Sequence, residues 1–131
     1  MVGLRCLIID DNASFLAAAQ ALLERQGLSI AGVASNEAEA LARAEELRPD
    51  VVLVDIDLGC ESGFSVARKL LAGARPRPRA ILISAHPQDD FAELVQQSPA
   101  VGFIAKSELS APAIMAILDS RETSANGPPE T

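Results

Sequence analysis

Short, densely apolar runs recur along the chain, and between them apolar residues return at helical spacing. The runs are Leu4 to Asp10 (LRCLIID), Leu28 to Ala34 (LSIAGVA), Val51 to Asp55 (VVLVD), Ala80 to Ser84 (AILIS) and Gly102 to Ala105 (GFIA). Unbroken apolarity of this kind predicts strands buried on both faces. Between the first two, Phe15, Leu16, Ala19, Leu22 and Leu23 share one helical face, and Gly27 suits the C-terminal cap. A second helix is predicted from an N-cap at Ser35 or Asn36 to Leu47, with Pro49 stopping it. A third falls within Gly63 to Leu71, ahead of the Pro-rich link GARPRPR, and Phe91, Leu94 and Val95 mark a fourth. Ile114, Ile117 and Leu118 mark the fifth, with Ser110 as N-cap and Pro112 in its first turn. Strands alternating with helices in this way predict an α/β domain, a parallel sheet with helices on both faces.

The polar residues fall at one place in this pattern. The runs terminate in Asp10-Asp11, Asp55, Ser84 and, just past the fifth, Lys106. In an all-parallel sheet those ends share an edge. Right-handed crossovers favour the doubly wound order 2-1-3-4-5, whose switch point lies between the first and third strands, where open α/β sheets bind ligands. That order gathers Asp10, Asp11 and Asp55, flanked by Ser84 and Lys106. Neighbouring strands lie about 4.8 Å apart, so carboxylates at adjacent ends repel unless something neutralises them. Mg2+ suits such a site because it takes a few carboxylate oxygens and recruits phosphate oxygens. With a metal, the Lys106 ammonium and the Ser84 hydroxyl converging, one carboxylate is able to attack phosphorus and hold an acyl phosphate. Asp55, ending the central strand, is the candidate nucleophile.

Each residue alone has a plainer reading. Asp10 or Asp11 suits a helix cap, Asp55 or Asp57 a turn, Ser84 a strand end and Lys106 a solvated surface. Those readings leave unexplained why all of them fall in register at the ends of different strands.

Composition narrows the function further. The chain has 131 residues, 49% hydrophobic and 22% charged, which suits one domain with its own core. A net charge of -7 repels nucleic acid and anionic membranes, so direct DNA binding by this chain is not expected. No apolar run approaches the roughly 18 residues of a membrane span, and MVGLRCLIIDD meets aspartates before a signal-peptide pattern forms, so the chain reads as cytoplasmic. Cys6 and Cys60 show neither metal-ligand spacing nor a disulfide framework; Cys6 reads as a buried strand residue and Cys60 as a loop thiol. Residues 1–120 are expected to form the domain. RETSANGPPET, polar and aperiodic after Leu118-Asp119-Ser120, is expected to be a disordered tail or the start of a linker.

Taken together, LIIDDN, VVLVDIDLG, ILIS and GFIAKSEL resemble the receiver domain of two-component response regulators over residues 4 to 120. KSELS also resembles receivers that precede helix-turn-helix output domains. The resemblance implies a (βα)5 flavodoxin-like sandwich and a regulatory phosphoacceptor rather than an enzyme acting on other molecules. Asp55 would accept the phosphoryl group from a histidine kinase or histidine phosphotransfer protein. Asp11 would bind Mg2+ directly, Asp10 directly or through water, and the Asp57 backbone carbonyl would complete the protein ligands together with Asp55. Ser84 would close on the phosphoryl oxygen, Lys106 would neutralise its charge, and Phe103 matches the aromatic switch position, for which a plain core role is the competing reading. The implied output is a population shift at the face of the fourth helix, fifth strand and fifth helix, which would then dimerise or bind a target.

The chain departs from the pattern at Gly59, where receivers often have proline. Asp57 and His86 stand two residues beyond Asp55 and Ser84, at positions that tune phosphate lifetime in receivers. Asp55-Ile56-Asp57 also resembles the DxD motif of haloacid dehalogenase-type phosphatases, whose first aspartate is phosphorylated and whose second is a general acid. That motif usually closes the first strand of its fold.

Overall fold

A computed structural model of the chain describes residues 4–58, 61–73, 78–85 and 92–126. In chain order the elements are β1 (Arg5–Ile9), α1 (Ala13–Arg25), β2 (Ser29–Ala34), α2 (Glu37–Leu47), β3 (Val51–Asp55), β4 (Asp57–Leu58), β5 (Glu61–Ser62), α3 (Gly63–Gly73), β6 (Arg79–Ser84), α4 (Ala92–Gln97), β7 (Gly102–Ala105) and α5 (Ala111–Asn126). β1, β2, β3, β6 and β7 form one five-stranded sheet in the order β2-β1-β3-β6-β7. All its neighbouring pairs are parallel. This is the doubly wound order 2-1-3-4-5 expected from the sequence, with β6 and β7 as its fourth and fifth strands. β4 and β5 pair antiparallel as a two-stranded ribbon that the apolar pattern does not predict.

Side chains along the strands alternate between two cores, because successive Cβ atoms point to opposite faces of a sheet. Cys6, Ile8, Val51, Leu53, Ile81, Ile83 and Ile104 face one layer, covered by Leu16 and Leu23 of α1 and Ile114 and Leu118 of α5. Leu7, Ile9, Val52, Val54, Ala80 and Leu82 face the other, covered by Ala40 and Ala44 of α2, Val66 and Leu70 of α3 and Val95 of α4. Every β3 residue from Val51 to Val54 is fully buried, so the strand that carries Asp55 is held on both faces. Cys6 lies inside the first layer, and burial pushes its thiol up to about 12, which leaves it unreactive.

The helix ends show local chemistry at work. Asn12 caps α1, its side chain accepting from the Phe15 N–H at 3.1 Å, so the plainer reading of Asp10 or Asp11 as the cap does not hold. At the other end Gly27 has φ 93, and the Gly27 and Leu28 N–H groups donate to the Glu24 and Leu23 carbonyls, a Schellman arrangement. Asn36 rather than Ser35 caps α2, accepting from the Glu39 N–H at 2.9 Å. Ser110 caps α5 as expected, its hydroxyl accepting from the Ala113 N–H. α5 continues past Arg121, where the tail was expected to begin, to Asn126. Nothing in RETSAN forbids helix, whereas the Gly127-Pro128-Pro129 that follows does. Gly59, Cys60, His86, Phe91 and the last residues of the expected tail lie outside the described residues.

Candidate functional site

The polar residues singled out at the strand ends line one open cleft of about 240 Å³ at the C-terminal edge of the sheet. Asp10 and Asp11 follow β1, Asp55 ends β3, Asp57 lies just beyond it, Ser84 ends β6 and Lys106 follows β7. Asp10, Asp55 and Ser84 are buried, whereas Asp11 and Asp57 are exposed. Carboxylate oxygens of Asp10, Asp11 and Asp55 lie within 4.8 Å of one another, a set of hard oxygen donors that fits a small divalent cation.

Two backbone donors fix the carboxylates. The Asn12 N–H donates to Asp10 Oδ1 at 2.9 Å, and the Asp57 N–H donates to Asp55 Oδ1 at 3.1 Å. Lys106 Nζ faces the remaining oxygens, 2.6 Å from Asp10 Oδ2 and 3.2 Å from Asp55 Oδ2. Asp10 Oδ2 is fully buried and lacks a well-directed hydrogen bond, so the close ammonium is what balances its charge. Among the described residues, one cation therefore serves two buried carboxylates. Burial and the nearby Asp10 charge outweigh the Asp57 N–H and Lys106, and the Asp55 carboxyl is pushed up to about 6. For Lys106 burial acts downward, but its close contact with Asp10 and the negative charges of Asp10 and Asp55 prevail and hold its pKa above the usual lysine value. Among the described residues the arrangement is short of positive charge. Chemically it offers a buried nucleophilic oxygen, donors beside it and an acidic bay that a metal ion would relieve.

Three contributors were not singled out as site residues in the sequence. Gly63 opens α3 directly behind Asp55: a Cβ there would lie 2.0 Å from the Asp55 carbonyl oxygen and 2.6 Å from Ile56 Cα. Its N–H donates to the Ile56 carbonyl at 3.0 Å, which pins the returning chain against the end of β3. A glycine opening a helix a few residues after the acidic strand end was the available signal. Asn12, between the acidic pair and α1, both caps the helix and orients Asp10. Phe15 lies under Lys106, with the ammonium 4.4 Å from its ring centroid. Phe103 is brought to β7, half-buried against the second core layer, rather than into the cleft. Asp55 ends the third strand of the chain, not the first, so the DxD phosphatase pattern lacks its usual placement.

Comparison with known proteins gives the family of the chain. The chain is 30% identical over 115 residues to the response regulator GacA of Pseudomonas viridiflava, covering 87% of this chain and 53% of that protein. It is 31% identical over 104 residues to the virulence factors putative positive transcription regulator BvgA of Bordetella pertussis, covering 79% of this chain and 49% of that one. The chain thus spans about half the length of the curated relatives it matches. Among solved structures, a Burkholderia pseudomallei response regulator with a phosphorylated aspartic acid, calcium ion and citrate superposes with a TM-score of 0.75. That structure is 28% identical, with 95% of this chain and 72% of that one covered. The family model of the response regulator receiver domain matches residues 6–119, and with the site at the carboxyl ends of β1, β3, β6 and β7 the chain belongs to the response regulator receiver domain family.

Proposed function

We propose that the chain is a phosphorylation-activated signalling switch in which Asp55 accepts a phosphoryl group from a histidine kinase or histidine phosphotransfer protein. The observation that carries this reading is the state of Asp55: a buried carboxylate ending the central strand, pushed up to about 6, with one oxygen on a backbone N–H and the other toward Lys106. In the transfer an ionised Asp55 oxygen attacks phosphorus, an O–P bond forms, the P–N bond to the donor imidazole breaks with its electron pair going to nitrogen, and that nitrogen takes a proton from water. Lys106 meets the charge that collects on the phosphoryl oxygens, and Ser84 offers its hydroxyl to one of them.

Asp11, Asp10 and Asp55, with the Asp57 backbone carbonyl, are the residues that would hold Mg2+. Bound there, the ion would neutralise carboxylate charge and orient the phosphoryl oxygens. Carboxylate oxygens of Asp10, Asp11 and Asp55 lie within 4.8 Å of one another, and Lys106 faces only Asp10 and Asp55 among them, which favours a further cation in the cleft. Similarity to a receiver solved with a phosphorylated aspartate and calcium supports the same chemistry.

The output reading is a population shift. Ser84 drawn toward the phosphoryl group and Phe103 repacking on β7 would alter the face of α4, β7 and α5, which then dimerises or binds a target. BvgA, one of the proteins it resembles, is named a transcription regulator, and transcriptional control here would act through a partner or a DNA-binding segment rather than through this acidic domain. Such a switch works in the cytoplasm beside its kinase, and no helix among the described residues is long and apolar enough to cross a membrane.

Incubation with acetyl phosphate and Mg2+, followed by intact mass measurement, tests the reading. One phosphoryl adduct on the wild type, absent from Asp55→Asn and after metal chelation, is expected. No adduct from acetyl phosphate or from a panel of histidine kinases would overturn it, and multiple turnover of small phosphoesters would favour the phosphatase chemistry instead.

A further inference from the structure

Among the described residues, the Lys106 ammonium faces Asp10 Oδ2 at 2.6 Å, Asp55 Oδ2 at 3.2 Å and the face of the Phe15 ring at 4.4 Å. The carboxylates attract it through their net charge, and that attraction weakens when a divalent cation takes up the charge. The ring attracts it through a quadrupole that no bound cation neutralises. Phe15 is also well placed to keep its position. It sits in the first turn of α1, its N–H accepted by the Asn12 cap, and its ring is half-buried against the layer under α1 and α5.

We propose that Phe15 is a positioning residue for Lys106: its aromatic face keeps the ammonium at the Asp55 cleft when bound metal has reduced the pull of Asp10 and Asp55, so that the ammonium meets the incoming phosphoryl oxygen instead of solvent. The proposal rests on the phosphoacceptor reading of Asp55. It separates cleanly from simple packing, because packing needs only apolar bulk whereas positioning needs π-electron density.

Ring fluorination makes that distinction, since it lowers the quadrupole while keeping the ring. Mono-, di- and trifluorophenylalanine placed at position 15 are expected to slow phosphate uptake from acetyl phosphate stepwise, to about a third to a tenth of the wild-type rate, the range of a partly desolvated cation–π contact. Phe15→Leu should match the slowest of the series, and Phe15→Tyr should retain most of the rate. A readout independent of phosphorylation is the Lys106 side-chain methylene resonances, expected upfield from the ring current with and without Mg2+ and at ordinary positions in Phe15→Leu. Should Phe15→Leu fail to fold, the fluorinated chains, which keep the ring, still decide. Equal rates across the series, or an upfield shift that disappears when Mg2+ is added to the wild type, would overturn the proposal. A wild type that takes up no phosphate would instead overturn the phosphoacceptor reading, leaving the Lys106 resonances to judge the placement.

Discussion

The two edges of the sheet are built from similar residues and reach opposite electrostatic outcomes. At the N-terminal edge, the Arg5 N–H donates to Asp50 Oδ2 at 2.9 Å and the Asp50 N–H returns a bond to the Arg5 carbonyl at 2.8 Å. The Arg5 guanidinium donates to the Leu47 and Arg48 carbonyls, and the Arg79 N–H donates to the Asp50 carbonyl. One cation and one carboxylate, in reach of water, close the C-terminus of α2 and three strand starts. That clasp also steadies Arg48, whose φ of 49 lies in the left-handed region ahead of Pro49, where a residue with a Cβ pays roughly 1 kcal/mol. At the C-terminal edge Asp10, Asp11 and Asp55 converge on Lys106, and Asp10 and Asp55 are buried. Polarity at a strand end is therefore not the mark of a site. The mark is a local charge that the fold leaves uncompensated, because a ligand is then the cheapest way to balance it.

Substitutions at the two edges test this contrast. Gly63→Ala should have the largest effect, about 3 kcal/mol in urea unfolding, because the added Cβ meets the Asp55 backbone rather than a movable side chain. Ala is the better helix former by about 1 kcal/mol, so an unchanged midpoint would show that the close approach is not limiting. Lys106→Met should cost about 2 kcal/mol at pH 8, since two buried carboxylates lose the ammonium between them. A loss no greater than that of Arg5→Ala would erase the distinction between the edges.

Asp55→Asn should act in the opposite direction. The folded-state carboxyl lies at about 6, above its ordinary 3.8, so the folded chain binds the proton more tightly than the unfolded one. Its favourable contribution is complete below the ordinary value and is lost as pH rises through about 6. Without divalent metal, Asp55→Asn should therefore be more stable than the wild type at pH 8, by about 1–2 kcal/mol after allowing for solvent screening in the open cleft. Thermal unfolding in EDTA should show this gain shrinking toward zero near pH 4, and a gain independent of pH would mean that burying the ionised carboxylate is not its source. Arg5→Ala should be mildest, about 1 kcal/mol with no effect on phosphate uptake, as for hydrogen bonds to helix-end carbonyls that water is able to replace in part. Reduced uptake in that variant would show the edges to be coupled.

Much of this was legible along the chain. Continuous apolar runs placed β3 at Val51–Asp55 and β7 at Gly102–Ala105, with the remaining sheet strands differing by a residue or so at their ends. Strands of this kind advertise themselves because both faces must be apolar, and their parallel order follows from the helices between them. From that order alone Asp10, Asp11, Asp55, Ser84 and Lys106 were brought to one edge. Less legible were features that depend on a meeting of distant segments. Asn12, not an aspartate, caps α1, because the Asp10 carboxylate turns instead to Lys106 and to the Asn12 N–H.

The sequence by itself determined which residues end the strands, since hydrophobic periodicity and helix caps are local and are read from neighbours a few positions away. Only the tertiary structure decided what those residues do to one another. Burial raised the Asp55 carboxyl, the Lys106 ammonium came to lie between two buried acids, Gly63 made room behind Asp55, and the Phe15 ring came to lie under Lys106. Each of these depends on separations of a few ångströms between residues far apart in the chain, and the strength of an electrostatic or steric interaction is set by that distance and by exclusion of water.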